Sequence, residues 1–139
     1  FQCYGARPVT GFLSGTAFEP LLHPNGTIAV EPTLRVKGHD NVYAVGDITD
    51  VRESKRADAA RQQARVVIAN ISAQLEGEDP DTTYEPTKEW VILPLGPTMG
   101  ASQLLDSDGA VRILGAEQTA EIKGTDLMVS VIRSQLTLP

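Results

Sequence analysis

The chain has one cysteine, two histidines, two methionines and only 5% aromatic residues. A lone Cys3 cannot close an internal disulfide, so a disulfide scaffold is excluded and a reducing compartment is compatible. Lying in an apolar stretch, Cys3 reads as a small buried hydrophobe rather than a reactive thiol. His23 and His39 stand beside Pro24 and Gly38 without ligand spacing to Cys3, so they read as turn residues and no metal site is expected. No apolar run approaches the ~18 residues that span a bilayer. The opening Phe1-Gln2-Cys3-Tyr4-Gly5 has neither the basic start nor the long apolar middle of a signal peptide. Positive charge is scarce: 12 Lys and Arg face 18 Asp and Glu, for a formal net charge of -6. That balance argues against a general nucleic-acid surface. Neither Gly11 with Gly15 nor Gly96 with Gly100 supplies Gly-x-Gly-x-x-Gly, and no nucleophile elbow or paired catalytic carboxylates are recognisable. Asp106-Ser107-Asp108-Gly109 opens like a calcium loop but lacks the downstream bidentate Glu, so it reads as a hairpin turn. Asn25-Gly26-Thr27 reads as a tight turn rather than a glycosylation site.

What is present suits a globular protein. At 139 residues and 41% hydrophobic content, the chain can bury a core. Residues 1–4 and 27–30 read as strands, and 34–36 as a short extended piece. Residues 42–46 read as the central, buried, parallel-type strand. Residues 56–75 form the clearest helix, with Ala57, Ala60, Ala64, Val67, Ile68, Ile71 and Leu75 on one apolar face and Arg61, Gln62, Arg65 and Asn70 on others. Residues 76–86 are acidic and carry Gly and Pro, as an inter-domain linker would. Beyond them come strands at 90–95, 101–105 and 110–114, and a helix at 125–136 with a stripe of Met128, Val129, Ile132 and Leu136.

The strand 42–46 ends at Gly46-Asp47, a glycine that permits close backbone approach followed by an acid able to accept hydrogen bonds from hydroxyls. In open α/β sheets, ligands sit outside the carboxyl ends of strands. The helix that follows begins with alanines, and its N-terminus carries the positive end of the dipole. Lys55, just before it, is either a solvated loop lysine or a full positive charge at the same place. Arg52, Lys55, Arg56, Arg61 and Arg65 are a solvated helix face or a patch for anionic lipid or cofactor phosphates.

Val42-Tyr43-Ala44-Val45-Gly46-Asp47, with the Thr27-Ile28-Ala29-Val30 strand and the following helix, resembles the second flavin-binding motif of FAD/NAD(P)H oxidoreductases with two dinucleotide-binding domains. Three pieces are similar to the ferroptosis-suppressor branch, quinone reductases related to apoptosis-inducing factor. They are Gly46-Asp47-Ile48-Thr49-Asp50-Val51-Arg52 with Lys55, the helix end Ala69-Asn70-Ile71, and the tail Asp126-Leu127-Met128-Val129-Ser130. The resemblance spans nearly the whole chain and is most specific over residues 42–71.

The resemblance implies an α/β fragment, the end of a flavoprotein with two dinucleotide-binding domains, followed by a small α+β C-terminal domain. Residues 1–25 would be the tail of the NAD(P)H-binding domain and the crossover. Residues 26–78 would be the C-terminal segment of the FAD-binding domain, with strand 42–46 and helix 56–75. Residues 79–139 would be linker and C-terminal domain. The implied reaction is FAD-dependent NAD(P)H:quinone oxidoreduction. Gly46, Asp47, Lys55 and Ala57 would form one wall of the flavin site, with Asp47 on the ribityl chain and Lys55 beside the isoalloxazine. Since both Gly-rich motifs are missing, the isolated piece is expected to be inactive. The setting would be cytoplasmic, with the full-length protein peripheral to a membrane. The C-terminal stripe would be core or, as the family suggests, a wall of a quinone channel or a membrane-facing surface. From another class comes the alternative of a non-enzymatic interaction or dimerisation module, using exposed strand edges at 1–5 and 27–46.

Overall fold

The computed structural model of the chain describes residues 5, 7–86 and 88–136. The strand expected at 1–4 and Cys3 lie outside them. The chain divides into two compact units, Phe1–Thr87 and Lys88–Pro139.

The first unit is built around one long helix and a set of short extended segments. Helix α1 runs over Ala57–Glu76 and ends at Gly77, whose φ of 81° gives the left-handed cap that closes the helix on Ala73 and Gln74. Against it lies a core of Ile28, Val30, Leu34, Val36 and Tyr84, with Leu22, Val42, Ala44, Ile48, Val66 and Val67 packed around it. The segments expected as strands at 27–30 and 42–46 do not form continuous ladders. They meet their neighbours through single bridges: Leu22 with Ile28, Val30 with Val36 and Arg35 with Tyr43, all antiparallel, and Ile28 with Thr49, parallel. A buried parallel strand needs a partner along its length. Among the described residues, the backbone of 42–44 instead bonds across to 34–36, through the Val36 N–H to Val42 O (2.8 Å) and the Ala44 N–H to Leu34 O (3.0 Å).

The face of α1 turned to the core is not the one its apolar periodicity suggests. Ala59, Gln63 and Asn70 are buried, whereas Ile68 and Leu75 are 64% and 85% exposed. At about 100° per residue, the buried row lies roughly 110° around the helix from the apolar stripe. The reason is what the helix meets. Its inward row faces loop backbone, whose carbonyls and amides require polar partners. Asn70 donates to Thr33 O (3.0 Å) and Thr82 O (2.8 Å), and its own Oδ1 accepts the Thr82 N–H (3.0 Å). Two residues on, the Tyr84 N–H bonds Pro32 O (2.8 Å). Both Thr82 and Tyr84 belong to the acidic 76–86 stretch, which is thereby laced onto the first unit.

The second unit is a three-stranded antiparallel sheet in the order β1-β2-β3, with β1 at Val91–Pro94, β2 at Gly100–Leu105 and β3 at Val111–Leu114. Val91 stands opposite Gln103, and Ser102 opposite Leu114. The short helix α2, Ala116–Thr119, continues into a π turn over Ala120–Gly124. Alpha-2 meets the sheet at a buried hydroxyl pair, Ser102 Oγ and Thr119 Oγ1, 2.8 Å apart. Gly100 is fixed by this contact: a β-carbon there would lie 2.5 Å from both Leu93 O and Thr119 Cγ2.

Helix α3 covers Val129–Gln135, shorter than the expected 125–136. It starts late because Leu127 and Met128 are left-handed, with φ of 54° and 62°. Asp126 holds that entry, accepting the Met128 N–H (2.9 Å) and the Ser130 N–H (3.0 Å) on its carboxylate. The expected core stripe is not buried: Val129, Ile132 and Leu136 are exposed on a helix of only seven residues. Hydrogen bonds from the Ser130 hydroxyl and amide hold the Asp126 carboxyl below its ordinary 3.8. A carboxyl depressed by folding stabilises the cap above the unfolded value and loses it as pH falls through the folded one. Acidification below about 3.8 is therefore expected to release the Ser130 amide, read as faster hydrogen exchange at Ser130 and Met128. Equal protection at those amides across that range would remove Asp126 as the cap.

Candidate functional site

The site begins where the extended segment 42–45 turns. Val45 is still extended (φ -138°, ψ 157°), and Gly46–Ile48 then makes one 3-10 turn. Gly46 has φ of 78°, a left-handed conformation that favours glycine. Its carbonyl is closed by Thr49, through the Oγ1 hydroxyl (3.0 Å) and the amide (3.2 Å). The far side of the turn is registered by the parallel bridge: Ile28 N–H to Ile48 O (2.7 Å) and Asp50 N–H to Ile28 O (3.1 Å). A β-carbon on Gly46 would sit 3.7 Å from Ala60 Cβ, so the alanines opening α1 let turn and helix approach closely.

This geometry brings Asp47 and Lys55 into one cleft of about 520 Å³, lined also by Arg7, Pro8, Asn25 and Thr27. Asp47 is exposed. Asn25 receives the Thr27 amide (3.1 Å) and hydroxyl (2.8 Å) on its Oδ1, which shapes the turn on the cleft's other wall. Ala57, the first residue of α1, is exposed, but neither it nor Gly46 is among the residues that line this cleft. The helix end still places the positive end of its dipole two residues from Lys55.

Lys55 is more confined than a solvated loop lysine. Its Nζ donates to Val51 O (2.8 Å), Thr49 O (2.9 Å) and Thr49 Oγ1 (3.3 Å). Three acceptors match the three protons of an ammonium. Lys55 thus staples the 49–55 loop, and what it adds to the cleft is charge rather than a free donor. Desolvation pulls its pKa below the ordinary 10.5, while Glu53, then Asp47 and Asp50, draw it back up. These carboxylates favour the charged form and offset part of what desolvation takes away.

Asp50, three residues after Asp47, is committed elsewhere. Its Oδ1 accepts the Val30 N–H (3.1 Å) and its Oδ2 meets His23 Nε2 (3.2 Å). The His39 ring lies 4.7 Å from that of Phe18. Among the described residues no cluster of three or more His, Cys, Asp or Glu is arranged to hold a metal. Nor is any helix among them long and apolar enough to cross a membrane.

Sequence reasoning missed the groups behind the turn. Gln63, 1% exposed, accepts the Gly46 N–H on Oε1 (2.6 Å) and donates from Nε2 to Glu53 Oε1 (2.7 Å). The Tyr84 hydroxyl bonds the same carboxylate at 2.8 and 3.0 Å. The signal was a second row on α1, Ala59-Gln63-Val66-Asn70-Gln74, stepping by three and four with small and amide side chains. Arg7, Asn25 and Thr27 reach the cleft through tertiary folding alone.

No protein-family model matches the chain. It is 28% identical over 130 residues to the FAD-dependent oxidoreductase FVFD30 of Flammulina velutipes, covering 94% of this chain and 40% of that protein. With ferroptosis suppressor protein 1 of Homo sapiens it shares 38% identity over 88 residues, 63% of this chain and 23% of the relative. With apoptosis-inducing factor homolog B of Dictyostelium discoideum it shares 30% over 124 residues, 88% and 31% of the two. The chain thus spans two fifths or less of the length of these curated relatives. Their shared similarity establishes what the residues around Gly46-Asp47 implied: this chain is a relative of the FAD-dependent oxidoreductase, ferroptosis-suppressor and apoptosis-inducing-factor-like proteins.

Proposed function

We propose that the chain is the C-terminal portion of an FAD-dependent NAD(P)H:quinone oxidoreductase and forms one wall of its flavin site. The observation that carries this reading is the cleft that Asp47 and Lys55 share at the opening of α1, in a relative of FAD-dependent oxidoreductases. The residues fit such a group. Gly46 lacks a side chain, the Asp47 carboxylate is exposed to accept hydrogen bonds from hydroxyls, Ala57 is small and exposed, and Lys55 adds positive charge.

FAD, when bound, supplies the hydride and electron chemistry. The chain's own residues bind and orient. Asp47 would accept hydrogen bonds from ribityl hydroxyls and so help hold the cofactor. The α1 amides and the Lys55 charge stabilise negative charge at the ring's edge, at a place fixed before reaction. Lys55 does this without moving, because Thr49 and Val51 hold its protons. In this reading the domain limits are those of the resemblance: residues 1–25 end the NAD(P)H-binding domain, 26–78 belong to the FAD-binding domain, and 79–139 form linker and C-terminal domain. The whole protein takes a small-molecule quinone as acceptor and lies in the cytoplasm or against a membrane surface. The test is a flavin absorbance titration of the full-length protein with NADH, NADPH and a soluble quinone. Bleaching by a nicotinamide and recovery on adding quinone are expected. A protein that carries no flavin, or whose flavin is not reoxidised by quinone, would remove the reading.

A further inference from the structure

The Gly46-Asp47 turn has no side chain of its own to lock it. Gly46 is permissive at φ 78°, and its orientation depends on where its amide and carbonyl are tied. The carbonyl is tied locally by Thr49, but the amide is tied from behind, outside the cleft. Gln63 takes that N–H, and the direction of the remaining bonds follows. An amide whose oxygen faces a donor must turn its NH2 toward an acceptor, and it finds the Glu53 carboxylate at 2.7 Å. Glu53 in turn receives the Tyr84 hydroxyl at 2.8 Å, and Tyr84, 8% exposed, is fixed to Pro32 O by its amide at 2.8 Å. Every member of this chain of bonds sits on a different segment: the turn, α1, the 49–55 loop and the stretch after α1.

Resting on the flavin reading above, the geometry points to Tyr84, Glu53 and Gln63 as a largely buried positioning relay that sets the Gly46-Asp47 turn and aims the Asp47 carboxylate at the cofactor. None of the three lines the Asp47 cleft; they act through the Gly46 amide. Buried polar networks of this kind specify one arrangement when all members are satisfied and lose it together when one is removed.

The test uses the flavin-loaded protein with Tyr84→Phe and Gln63→Glu. Tyr84→Phe keeps the ring and removes the hydroxyl, so the Gly46 amide is expected to exchange about tenfold faster and FAD to dissociate about tenfold more readily, the effect of one lost hydrogen bond. Gln63→Glu supplies a readout that a merely structural role would not move. A carboxyl at position 63 donates to Glu53 only when protonated. Relative to the parent measured over the same pH range, flavin retention is therefore expected to fall as pH rises in the variant. The groups facing that carboxyl are Glu53 and, through it, Tyr84 and Lys55. If the Gln63 variant does not fold, Tyr84→Phe carries the test alone. Unchanged Gly46 exchange in Tyr84→Phe overturns the relay whatever the flavin does. Faster Gly46 exchange with unmoved flavin retention, while Asp47→Ala still weakens retention, also overturns it and leaves the flavin reading standing. Should Asp47→Ala itself leave retention unchanged, the flavin reading is what fails, and the inference goes with it.

Discussion

Replacing Asn70 by alanine is expected to cost the first unit about 1–3 kcal/mol, the penalty for stranding buried polar groups. Asn70 is fully buried and serves three backbone groups at once: Thr33 O, Thr82 O and the Thr82 N–H. Alanine leaves all three without their partner and opens the space the amide filled. An unmade bond of this sort costs most where the stranded group cannot regain water, as at half-buried Thr33, and least at exposed Thr82. For a unit of this size, 3 kcal/mol lowers the melting temperature by roughly 12–24 °C. Asn70→Asp sharpens the test. Its carboxylate accepts the Thr82 amide but, while ionised, donates nothing to the two carbonyls. The variant should be weakest near neutral pH and recover as acid protonates it. Urea unfolding of the two variants, followed at the first unit, measures both effects. A loss under 1 kcal/mol for the alanine variant would mean that the 33 and 82 segments are not held through this amide.

Asn70 also shows where the sequence was legible and where it was not. The extent of α1 could be read closely: the apolar and alanine spacing gave 56–75, and Ala57–Glu76 is observed. The turns between the three later strands were equally plain, because their signals are local, in Pro94, Gly96, Gly100 and the Asp106-Gly109 run. The meeting of Asp47 and Lys55 was readable too, since a short loop from a turn to a helix can hardly separate them. The inward face of α1 was not readable. Periodicity identifies a stripe that can be buried against apolar surface, and says nothing of a helix whose neighbours are loops full of unpaired amides and carbonyls. Gln63 and Asn70 are inside because those groups need them, while Ile68 remains 64% exposed. For the same reason, 42–46 looked like a full strand. Its composition reports β propensity, and only the fold decides how many partners the segment finds.

Replacing Asp47 by alanine is expected to weaken flavin retention by roughly 1–3 kcal/mol, the worth of hydrogen bonds to a charged acceptor, or about 5- to 150-fold in dissociation constant. The physical case is the contrast with its neighbours. Asp50 is already bonded to Val30 and His23, and Lys55 has given its protons to Thr49 and Val51. Asp47 is exposed in the shared cleft, at the apex of a turn that Gln63 and Thr49 hold on its two sides. It is the acceptor the fold leaves available, so an effect on flavin should follow from its loss without an effect on the fold. Asp47→Asn keeps one accepting oxygen and should fall between parent and alanine. Both variants should melt within about 0.5 kcal/mol of the parent when flavin is stripped, as exposed substitutions do. Equilibrium dialysis against FAD, with thermal melts of the stripped proteins alongside, reads the two quantities apart. Parent-like dissociation in the alanine variant would mean that the carboxylate does not touch the ribityl chain. A large melt shift with the flavin stripped would mean that Asp47 holds the turn rather than the cofactor.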